Sequence, residues 1–327
     1  MRRLGVIGGG AWGTALAQVA ASGGEETLLW AREPEVVDSV NGIHENSLFL
    51  TGVRLNPSIR ATSDIAELDT CEALLVVTPA QHMRSVLAGL PQRGKPLILC
   101  SKGMEEATTR LMHEVAKEEQ PGSPIAVLSG PTFAHEVAAG LPAAVTFAIE
   151  EAAVGEALRA RIAKPFFRPY LSDDVVGAEI GGAVKNVLAI ACGVVEGRGL
   201  GQNARSALIS RGFAEMTRFG LARGARLETL AGLSGLGDLV LTCSSTSSRN
   251  FSLGKGLGEG GSPAHLLADK RTVAEGASTA PVLHRAAQAV GVDMPIVAAV
   301  CDLLAQRVSA EEVVERLLAR PLKSEGS

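Results

Sequence analysis

The stretch LGVIGGGAWG at residues 4–13 decides the fold, because it joins a short apolar run to closely spaced glycines. The run 4–7 is typical of a buried strand, and the alanine-rich residues 15–21 are typical of a helix. Gly8, Gly10 and Gly13 form the pattern G-x-G-x-x-G between them. In dinucleotide-binding folds these glycines make a tight turn, admit a pyrophosphate and let helix and strand pack closely. The stretch therefore predicts a dinucleotide at the start of the first helix.

The succession of a short apolar run and a helix-like stretch repeats through the first half of the chain. The runs lie at residues 4–7, 27–30, 73–78, 96–100, 125–128 and 143–149. Apolar strands that alternate with helices predict a parallel sheet covered on both faces. Residues 42–58 break this succession, and we interpret them as an insertion over one edge of the sheet.

After about residue 172 the segments are typical of helices only. They lie at residues 178–196, 203–219, 226–231, 263–269, 279–290, 295–305 and 310–319. A passage rich in Gly, Ser and Thr at residues 234–261 interrupts them and could be a flexible linker. We expect an α/β Rossmann-type doubly wound sheet over residues 1–175, an all-α domain over residues 176–327, and a cleft between the two.

Composition excludes several classes of protein. The 327 residues are 46% hydrophobic and only 3% aromatic, and 31 Lys and Arg against 35 Asp and Glu give a net charge of −4. An acidic chain with few aromatic residues is poorly suited to bind nucleic acid or an anionic membrane. The longest apolar stretch, residues 180–195, contains Lys185 and Asn186, so we expect it to be too short and too polar to span a bilayer.

Cysteine and histidine usage indicates the compartment and argues against a metal. The five cysteines are scattered without a CxxC pair, so neither a disulfide framework nor a thiolate zinc site is expected. The six histidines are dispersed as well, and no metal site is predicted. The first residues do not resemble a signal peptide. We therefore expect a cytoplasmic protein.

The residue that follows the second strand bears on the choice of nucleotide. An Asp or Glu about 20 residues after the glycine pattern would bind the ribose 2′-hydroxyl of NAD, whereas an arginine nearby suits the 2′-phosphate of NADP. Here Arg32 comes first and Glu33 follows it. NADP is therefore favoured and NAD remains open. Without the glycine pattern, Arg32 would be an ordinary solvated loop cation.

Two further loops are expected at the carboxyl edge of the sheet, where ligands of such folds bind. Lys102 follows the run 96–100, and the sequence Ser129-Gly130-Pro131-Thr132 follows the run 125–128 and opens a helix. Each could be an ordinary loop by itself. Their position at the same edge as the glycine pattern favours a binding role.

Lys185 is the most informative residue of the second half, because its helix is apolar on nearly every face. A buried lysine needs a partner, and Asp238 is a candidate; a lysine that reaches solvent from a helix end is the alternative. Ser248, Arg249 and Asn250 end a hydroxyl-rich stretch that begins at Thr242, at residues 242–250. These hydroxyl, amide and guanidinium groups are suited to bind a phosphate monoester, although such a composition is also typical of a flexible loop.

Taken in order, these motifs closely resemble the bacterial-type NAD(P)-dependent glycerol-3-phosphate dehydrogenases over nearly the whole chain. They are GGGAWGTALA (8–17), SKGME (101–105), GPTFAHE (130–136), AVKNVLAIACG (183–193), ALISRGFAEM (207–216) and GLGDLVLTCSSTSSRN (235–250). Gly9 and Ala11 depart from the alanine and serine usual in the family, and Asn203-Ala204 replaces the usual Asn-Thr. The loss of the hydroxyl at residue 11 weakens one phosphate contact but leaves its backbone N–H.

The resemblance implies reversible reduction of dihydroxyacetone phosphate to sn-glycerol 3-phosphate, which supplies the backbone of membrane phospholipids. It implies Lys185 as the catalytic acid and base and Asp238 as its support. Substrate contacts are implied for Lys102, Gly130, Thr132, Ser248, Arg249 and Asn250. Nucleotide contacts are implied for Ala11, Trp12, Arg32, Lys102, Ala134, Arg249, Val273 and Glu275. A homodimer is compatible with this family.

Two other functions remain open at this point. Another two-domain β-hydroxyacid-type dehydrogenase would share the fold and the lysine but does not predict the phosphate-suited cluster 248–250. A non-catalytic NAD(P)H sensor would bind the nucleotide to regulate a partner, yet it has no need of Lys185 opposite Asp238. A sensor that acts on DNA would also need a basic element that contacts the DNA, and the net charge of −4 does not indicate one.

Overall fold

The computed structural model of the chain describes residues 3–90, 94–268 and 274–319. Its strands are β1 (Leu4–Ile7), β2 (Thr27–Trp30), β3 (Ile59–Thr62), β4 (Ala73–Val76), β5 (Leu97–Leu99), β6 (Ile125–Ser129), β7 (Ala143–Ile149) and β8 (Phe167–Ser172). The helices of the first half are α1 (Ala11–Ala21), α2 (Pro34–Ile43), α3 (Met83–Ala88), α4 (Met112–Glu119), α5 (Ala134–Ala138) and α6 (Ala152–Ile162).

The second half is helical. Its helices are α7 (Val175–Gly197), α8 (Gly201–Ala222), α9 (Leu227–Leu230), α10 (Asp238–Thr242), α11 (Arg249–Gly258), α12 (Pro263–Leu266), α13 (Glu275–Ala289), α14 (Pro295–Leu304) and α15 (Ala310–Leu318). Short 3₁₀ turns cover Ile65–Thr70 and Ala80–His82, and a π-helical turn covers Leu233–Gly237. The expected Rossmann-type sheet followed by an all-α region is confirmed. The division at residue 175 coincides with the start of α7 but stays a prediction as a domain boundary.

The eight strands form one sheet in the order β3-β2-β1-β4-β5-β6-β7-β8. Strands β1 to β6 are parallel, and the chain reverses its winding between β1 and β4, as in a doubly wound fold. The expectation of a parallel sheet is wrong at one point, because β7 runs antiparallel to β6 and β8 then runs parallel to β7. The sheet thus ends in a reversed pair at the side that leads into α7.

The sequence pattern missed β3 and β8, the two edge strands. In β3 the exposed Arg60 interrupts the buried positions, and in β8 Arg168 and Tyr170 are exposed. Edge strands are half solvated, so they do not show the continuous apolar run of a central strand. The segment interpreted as an insertion connects α2 to β3, and its Asn56 bonds to Gln18 and to the carbonyl of Ala21 on α1.

The turn between β1 and α1 needs glycine at two places. Gly8 has a φ of +124°, which a residue with a side chain rarely adopts. A Cβ at Gly13 would lie 1.9 Å from the carbonyl oxygen of Gly8, so α1 packs directly on the turn. Gly10 is the N-cap of α1, and the helix begins at Ala11. The strand, turn and helix predicted from residues 4–13 are therefore present.

Helix α7 is the core of the second half. It is 23 residues long and is buried from Gly177 to Val195, packed by α8, α10, α11, α13 and α14. The expectation that this stretch is too short to span a bilayer is wrong, because α7 is the one helix of the described chain that is long and apolar enough to do so. However, 94% of its apolar window is buried inside the fold, as in the central helix of a helical domain.

Most of the passage 234–261 is helical, with a loop at residues 243–248 between α10 and α11, so the possibility of a flexible linker is not realised. Its helix α11 packs along α7 with backbones in contact at two glycines. A Cβ at Gly254 would lie 1.9 Å from the carbonyl oxygen of Ile190, and a Cβ at Gly193 would lie 2.1 Å from that of Phe251. The glycines therefore serve close helix packing rather than flexibility.

We expect Gly254→Ala to lower the free energy of unfolding by about 2 kcal/mol or more, because the added methyl group overpacks the contact between α11 and α7. Gly42→Ala is the matched control, since a Cβ at this α2 position has no neighbour within 4 Å. Replacing a helical glycine by alanine there should cost nothing or stabilise by up to about 1 kcal/mol. Urea denaturation followed by circular dichroism measures both. Equal stability of the two variants would contradict the close packing.

Candidate active site

The loops that follow five neighbouring strands meet at one edge of the sheet. Gly8 follows β1, Arg32 follows β2, Thr78 follows β4, Lys102 follows β5 and Gly130 follows β6. Because these strands are parallel, their carboxyl ends share one edge, and the reversal of winding between β1 and β4 opens a crevice there. Helix α7 packs against β6 and β7 beside it. The site is built between this edge and α7.

A buried carboxylate with two lysines lies at the centre of the site. Asp238 is 0% exposed. Its Oδ1 accepts a hydrogen bond from Lys185 Nζ at 2.6 Å, and its Oδ2 accepts one from Lys102 Nζ at 2.6 Å. Lys185 Nζ also donates to Thr242 Oγ1 at 2.8 Å. When Lys185 is protonated, the two ammonium groups outnumber the one carboxylate, which favours an anion beside them.

Burial lowers the pKa of Lys185 to about 8, since an ammonium is costly away from water. The charge of Lys102 contributes to this decrease in the pKa, whereas the charge of Asp238 opposes it by stabilising the protonated lysine. A lysine with a pKa of about 8 exists in both protonation states near neutral pH. Lys185 can therefore donate a proton and take one back, which an ordinary lysine does poorly at that pH.

Close backbone contacts bring Asp238 to Lys185. A Cβ at Gly181, one turn before Lys185 on α7, would lie 2.3 Å from the carbonyl oxygen of Ser234. A Cβ at Gly235, in the π-helical turn, would lie 1.9 Å from the carbonyl oxygen of Leu230. Gly181 therefore lets the turn approach α7, Gly235 lets the turn pack on α9, and α10 then begins at Asp238.

Lys102 is held in place from the sheet and from α7. Its Nζ donates to the carbonyl oxygen of Gly130 at 3.3 Å, and its own carbonyl oxygen accepts from Asn186 Nδ2 at 3.4 Å. Thr132 Oγ1 donates to the same Gly130 carbonyl at 3.2 Å. The structure therefore brings together Lys102, Gly130, Thr132, Lys185 and Asp238.

The three candidates at the start of α11 are in different situations. Ser248 is the N-cap of α11, and its Oγ accepts from Phe251 N at 3.2 Å. Asn250 Nδ2 donates to Asn186 Oδ1 at 3.0 Å, and Asn250 Oδ1 accepts from Gly276 N at 2.9 Å. Arg249 is exposed and makes no hydrogen bond or ion pair with any residue that the structure describes. The side chains of Ser248 and Asn250 are thus already hydrogen-bonded within the protein, whereas the guanidinium of Arg249 is available to a ligand.

The residues at the other end of the crevice fit a dinucleotide. Gly10 is exposed and a Cβ there would meet no atom within 4 Å, so a phosphate has room beside the first N–H groups of α1. Among the described residues, the buried Trp12 Nε1, Thr78 Oγ1 and Ser129 Oγ have no hydrogen-bond partner in the protein. Buried polar atoms are usually paired, so these three are available to a ligand, although atoms on other elements, such as Thr217 Oγ1 on α8, also have no partner.

The other residues predicted to contact the nucleotide surround this turn. Ala11 and Trp12 form the first turn of α1, and Ala134 begins α5, which packs against α1. Arg32 is 78% exposed in its side chain, and its Nη2 lies 2.9 Å from Glu33 Oε1. The guanidinium is therefore at the surface beside β2, where a ribose with or without a phosphate could reach it.

Glu275 links the two halves of the chain. It begins α13, and its Oε1 accepts from the backbone N–H of Ala80 at 3.3 Å. Burial raises the pKa of Glu275, and the charge of Arg249 partly counteracts this increase. Val273, the other late position predicted to contact the nucleotide, lies outside the described residues.

Sequence reasoning missed several polar side chains of the site. Thr242 belongs to the hydroxyl-rich stretch 242–250, but its hydroxyl oxygen accepts a hydrogen bond from Lys185. The spacing of four residues from Asp238 on one helix is the signal that could have placed it there. Asn186, Thr78 and Ser129 also lie here, and only their positions beside Lys185 or at strand ends could have indicated them. In the described ranges, no group of three or more His, Cys, Asp or Glu side chains could hold a metal.

Comparison with known proteins agrees with this geometry. The family model of the NAD-dependent glycerol-3-phosphate dehydrogenase N-terminus matches residues 3–154, and that of the C-terminus matches residues 174–315. A glycerol-3-phosphate dehydrogenase [NAD(P)+] of Erythrobacter litoralis is 65% identical, over 98% of this chain and 97% of that protein. One of Novosphingobium aromaticivorans is 64% identical, over 98% of both chains.

Solved structures give the same result. The glycerol-3-phosphate dehydrogenase of Coxiella burnetii superposes with a TM-score of 0.93 at 37% identity, over 98% of this chain and 99% of that one. A D-mandelate dehydrogenase superposes with a TM-score of 0.64 at 13% identity, over 95% of this chain and 99% of that one, which shows a shared fold alone. The chain belongs to the NAD-dependent glycerol-3-phosphate dehydrogenase family.

Proposed function

We propose that the protein is an NAD(P)-dependent oxidoreductase that interconverts dihydroxyacetone phosphate and sn-glycerol 3-phosphate. The observation that carries the proposal is the pair Lys102 and Lys185 on the two oxygens of buried Asp238, at the carboxyl edge of the sheet. A ketone reduction needs a proton donor and positive charge beside the carbonyl oxygen, and this pair supplies both. The family membership of the chain supports the same reaction.

The bound nicotinamide would supply the hydride for reduction and accept it in oxidation. Lys185 Nζ donates its proton to the carbonyl oxygen of the substrate as negative charge develops there. In the oxidative direction, neutral Lys185 takes the proton of the hydroxyl group. Asp238 and Thr242 hold the amine in place through bonds of 2.6 Å and 2.8 Å. Lys102 adds a second positive charge, which stabilises the alkoxide-like transition state more than the neutral ketone.

The phosphate group of the substrate is assigned to the side of the site formed by α11. Arg249 offers a free guanidinium at the first position of this helix, and a planar guanidinium can bind two phosphate oxygens at once. The hydroxyl hydrogen of Ser248 can donate to a third oxygen, since its Oγ accepts from the backbone. Asn250 acts by holding Asn186 and the start of α13. A β-hydroxyacid substrate has no phosphate group for Arg249 to bind.

The protein is proposed to work in the cytoplasm and to supply glycerol phosphate for phospholipid synthesis, as a homodimer and without membrane insertion or nucleic-acid binding. The net charge of −4 argues against nucleic-acid binding, and the scattered free cysteines support a reducing compartment.

The direct test is oxidation of NADH and of NADPH in the presence of dihydroxyacetone phosphate, followed by absorbance at the nicotinamide band. We expect turnover with both cofactors. The controls are unphosphorylated dihydroxyacetone and a 2-ketoacid such as pyruvate, neither of which should be reduced at a comparable rate. Reduction of the ketoacid without reduction of dihydroxyacetone phosphate would contradict the proposal.

Lys185→Ala should lower kcat by about 10²-fold or more, because general acid catalysis of this kind contributes at least that much. In the wild type, kcat/KM for reduction should fall as pH rises through about 8, since the protonated lysine is required. The same parameter for oxidation should rise over that range, since the neutral amine is required. Initial rates in both directions from pH 6 to 10 measure this.

The matched control is Lys255→Ala, which removes a half-exposed lysine of α11 that is paired with Glu259. It should leave kcat and both pH profiles unchanged. Near-normal turnover of a folded Lys185→Ala variant, or a pH limb near 8 that persists in it, would exclude Lys185 as the acid and base.

Arg32→Ala should weaken NADPH binding by about 10-fold while NADH binding changes little, because only NADPH has the 2′-phosphate that the guanidinium would bind. Fluorescence titration with the two reduced cofactors measures both dissociation constants. Arg168→Ala is the control, since this exposed arginine lies on β8 at the opposite end of the sheet. Equal losses for the two cofactors in Arg32→Ala would refute the 2′-phosphate contact.

A further inference from the structure

Asn46 is a polar side chain that is fully buried although it lies in the irregular segment between α2 and β3. It is 0% exposed, and every hydrogen-bonding position of its amide is used. Nδ2 donates to the carbonyl oxygen of Gly9 at 2.8 Å and to Thr14 Oγ1 at 2.8 Å. Oδ1 accepts from the backbone N–H of Leu48 at 3.3 Å and of Phe49 at 3.0 Å. The amide therefore joins this segment to the glycine-rich turn.

The bond to Gly9 controls the direction of a backbone N–H in the phosphate-binding turn. In a planar trans peptide the C=O of one residue and the N–H of the next point in opposite directions. When Asn46 holds the Gly9 oxygen, the N–H of Gly10 must point away from Asn46. Gly10 is the exposed N-cap of α1, where the pyrophosphate has room. Thr14 Oγ1 also donates to the Gly9 oxygen, but at 3.5 Å, so the shorter bond of 2.8 Å comes from Asn46, a residue outside the motif.

The two ends of the turn are fixed together by the same amide. Thr14 is 0% exposed, and its backbone N–H donates to the carbonyl oxygen of Gly10 at 2.9 Å. Asn46 Nδ2 reaches both Gly9 and Thr14, so it spans the turn from its second glycine to the first turn of α1. On its other side, Gly9 packs so tightly that a Cβ there would lie 2.5 Å from Ala31 Cβ. The Gly9 peptide is therefore held from both sides.

We propose that Asn46 is a positioning residue for the cofactor, which orients the Gly9–Gly10 peptide so that the turn is prepared to bind the pyrophosphate. The inference rests on the proposed dinucleotide-dependent function, although it concerns cofactor binding and not the substrate. Asn46 acts through Gly9 and needs no contact with the cofactor itself. A turn that must order itself on binding would bind the same cofactor more weakly.

Asn56 provides a control from the same segment. Its Nδ2 donates to the carbonyl oxygen of Ala21 at 2.8 Å, and its Oδ1 accepts from Ser58 N at 2.9 Å. It thus fixes the segment to α1 in the same way as Asn46, but at the end of the helix that is far from the phosphate-binding turn. Loss of either asparagine should cost stability, while only loss of Asn46 should affect the cofactor.

The experiment compares NADP⁺ binding by calorimetry, steady-state kinetics and thermal unfolding for wild type, Asn46→Ala and Asn56→Ala. Asn46→Ala should raise the NADP⁺ dissociation constant and the KM for NADPH by about 10-fold, the amount expected for one hydrogen bond that orients a binding group. Its kcat at saturating NADPH and its KM for dihydroxyacetone phosphate should stay within twofold of wild type. Asn56→Ala should bind NADP⁺ like wild type.

Asn46→Asp gives a second readout and carries the test if Asn46→Ala does not fold. The carboxylate keeps the acceptor for Leu48 and Phe49 but cannot donate to Gly9, so NADP⁺ binding should be weak at pH 8. The protonated carboxyl group can donate again, so the affinity should recover as the pH falls to 5.5, while the wild type shows no such gain.

Unchanged NADP⁺ affinity in Asn46→Ala, an equal loss in Asn56→Ala, or no recovery of Asn46→Asp at low pH would overturn the proposal. Failure of the proposed function has a different signature. In that case the wild type would bind NADP⁺ without turning over dihydroxyacetone phosphate, and the comparison of the asparagine variants would still be decided by binding alone.

Discussion

The site depends on one constraint, which is that a carboxylate with no exposure to solvent must be neutralised by groups inside the protein. Asp238 meets it with two ammonium groups, one on each oxygen. Removing either partner from such a buried cluster is costly, because the remaining charges lose compensation without regaining water. Lys102 follows β5 and Lys185 is on α7, so the same cluster that organises the chemistry also fastens the sheet to the helical half.

The positions of these charges follow from backbone contacts that only glycine permits. Gly181 lets the turn before Asp238 pass against α7, and Gly235 lets the same turn pack on α9. Gly193 and Gly254 let α11 lie along α7. Helix α7 is apolar on nearly every face because other elements surround it, so Lys185 is only 6% exposed. Its lowered pKa is a consequence of this packing.

How much of this could be predicted from the sequence differs between the two halves. The central strands and the glycine turn follow from local patterns, because a strand buried on both faces is a continuous apolar run and a tight turn needs glycine. Lys185 could be singled out because a cation is conspicuous in an apolar helix. The helices within residues 234–261 could not be predicted in this way, since a segment whose glycines permit close packing has the same composition as a flexible linker. The position of their contacts depends on α7, which is distant in sequence.

The site is also organised by polar contacts that no local pattern contains. Asn186 donates to the carbonyl of Lys102 and accepts from Asn250, which in turn accepts from the N–H of Gly276. The neighbouring Glu275 accepts from Ala80, in the loop that follows β4. These bonds connect two strand ends, α7, α11 and α13 around the crevice. Because the donors and charges are fixed when the chain folds, little reorganisation is left for the moment when negative charge develops on the substrate, and this is the condition under which electrostatic stabilisation is most effective.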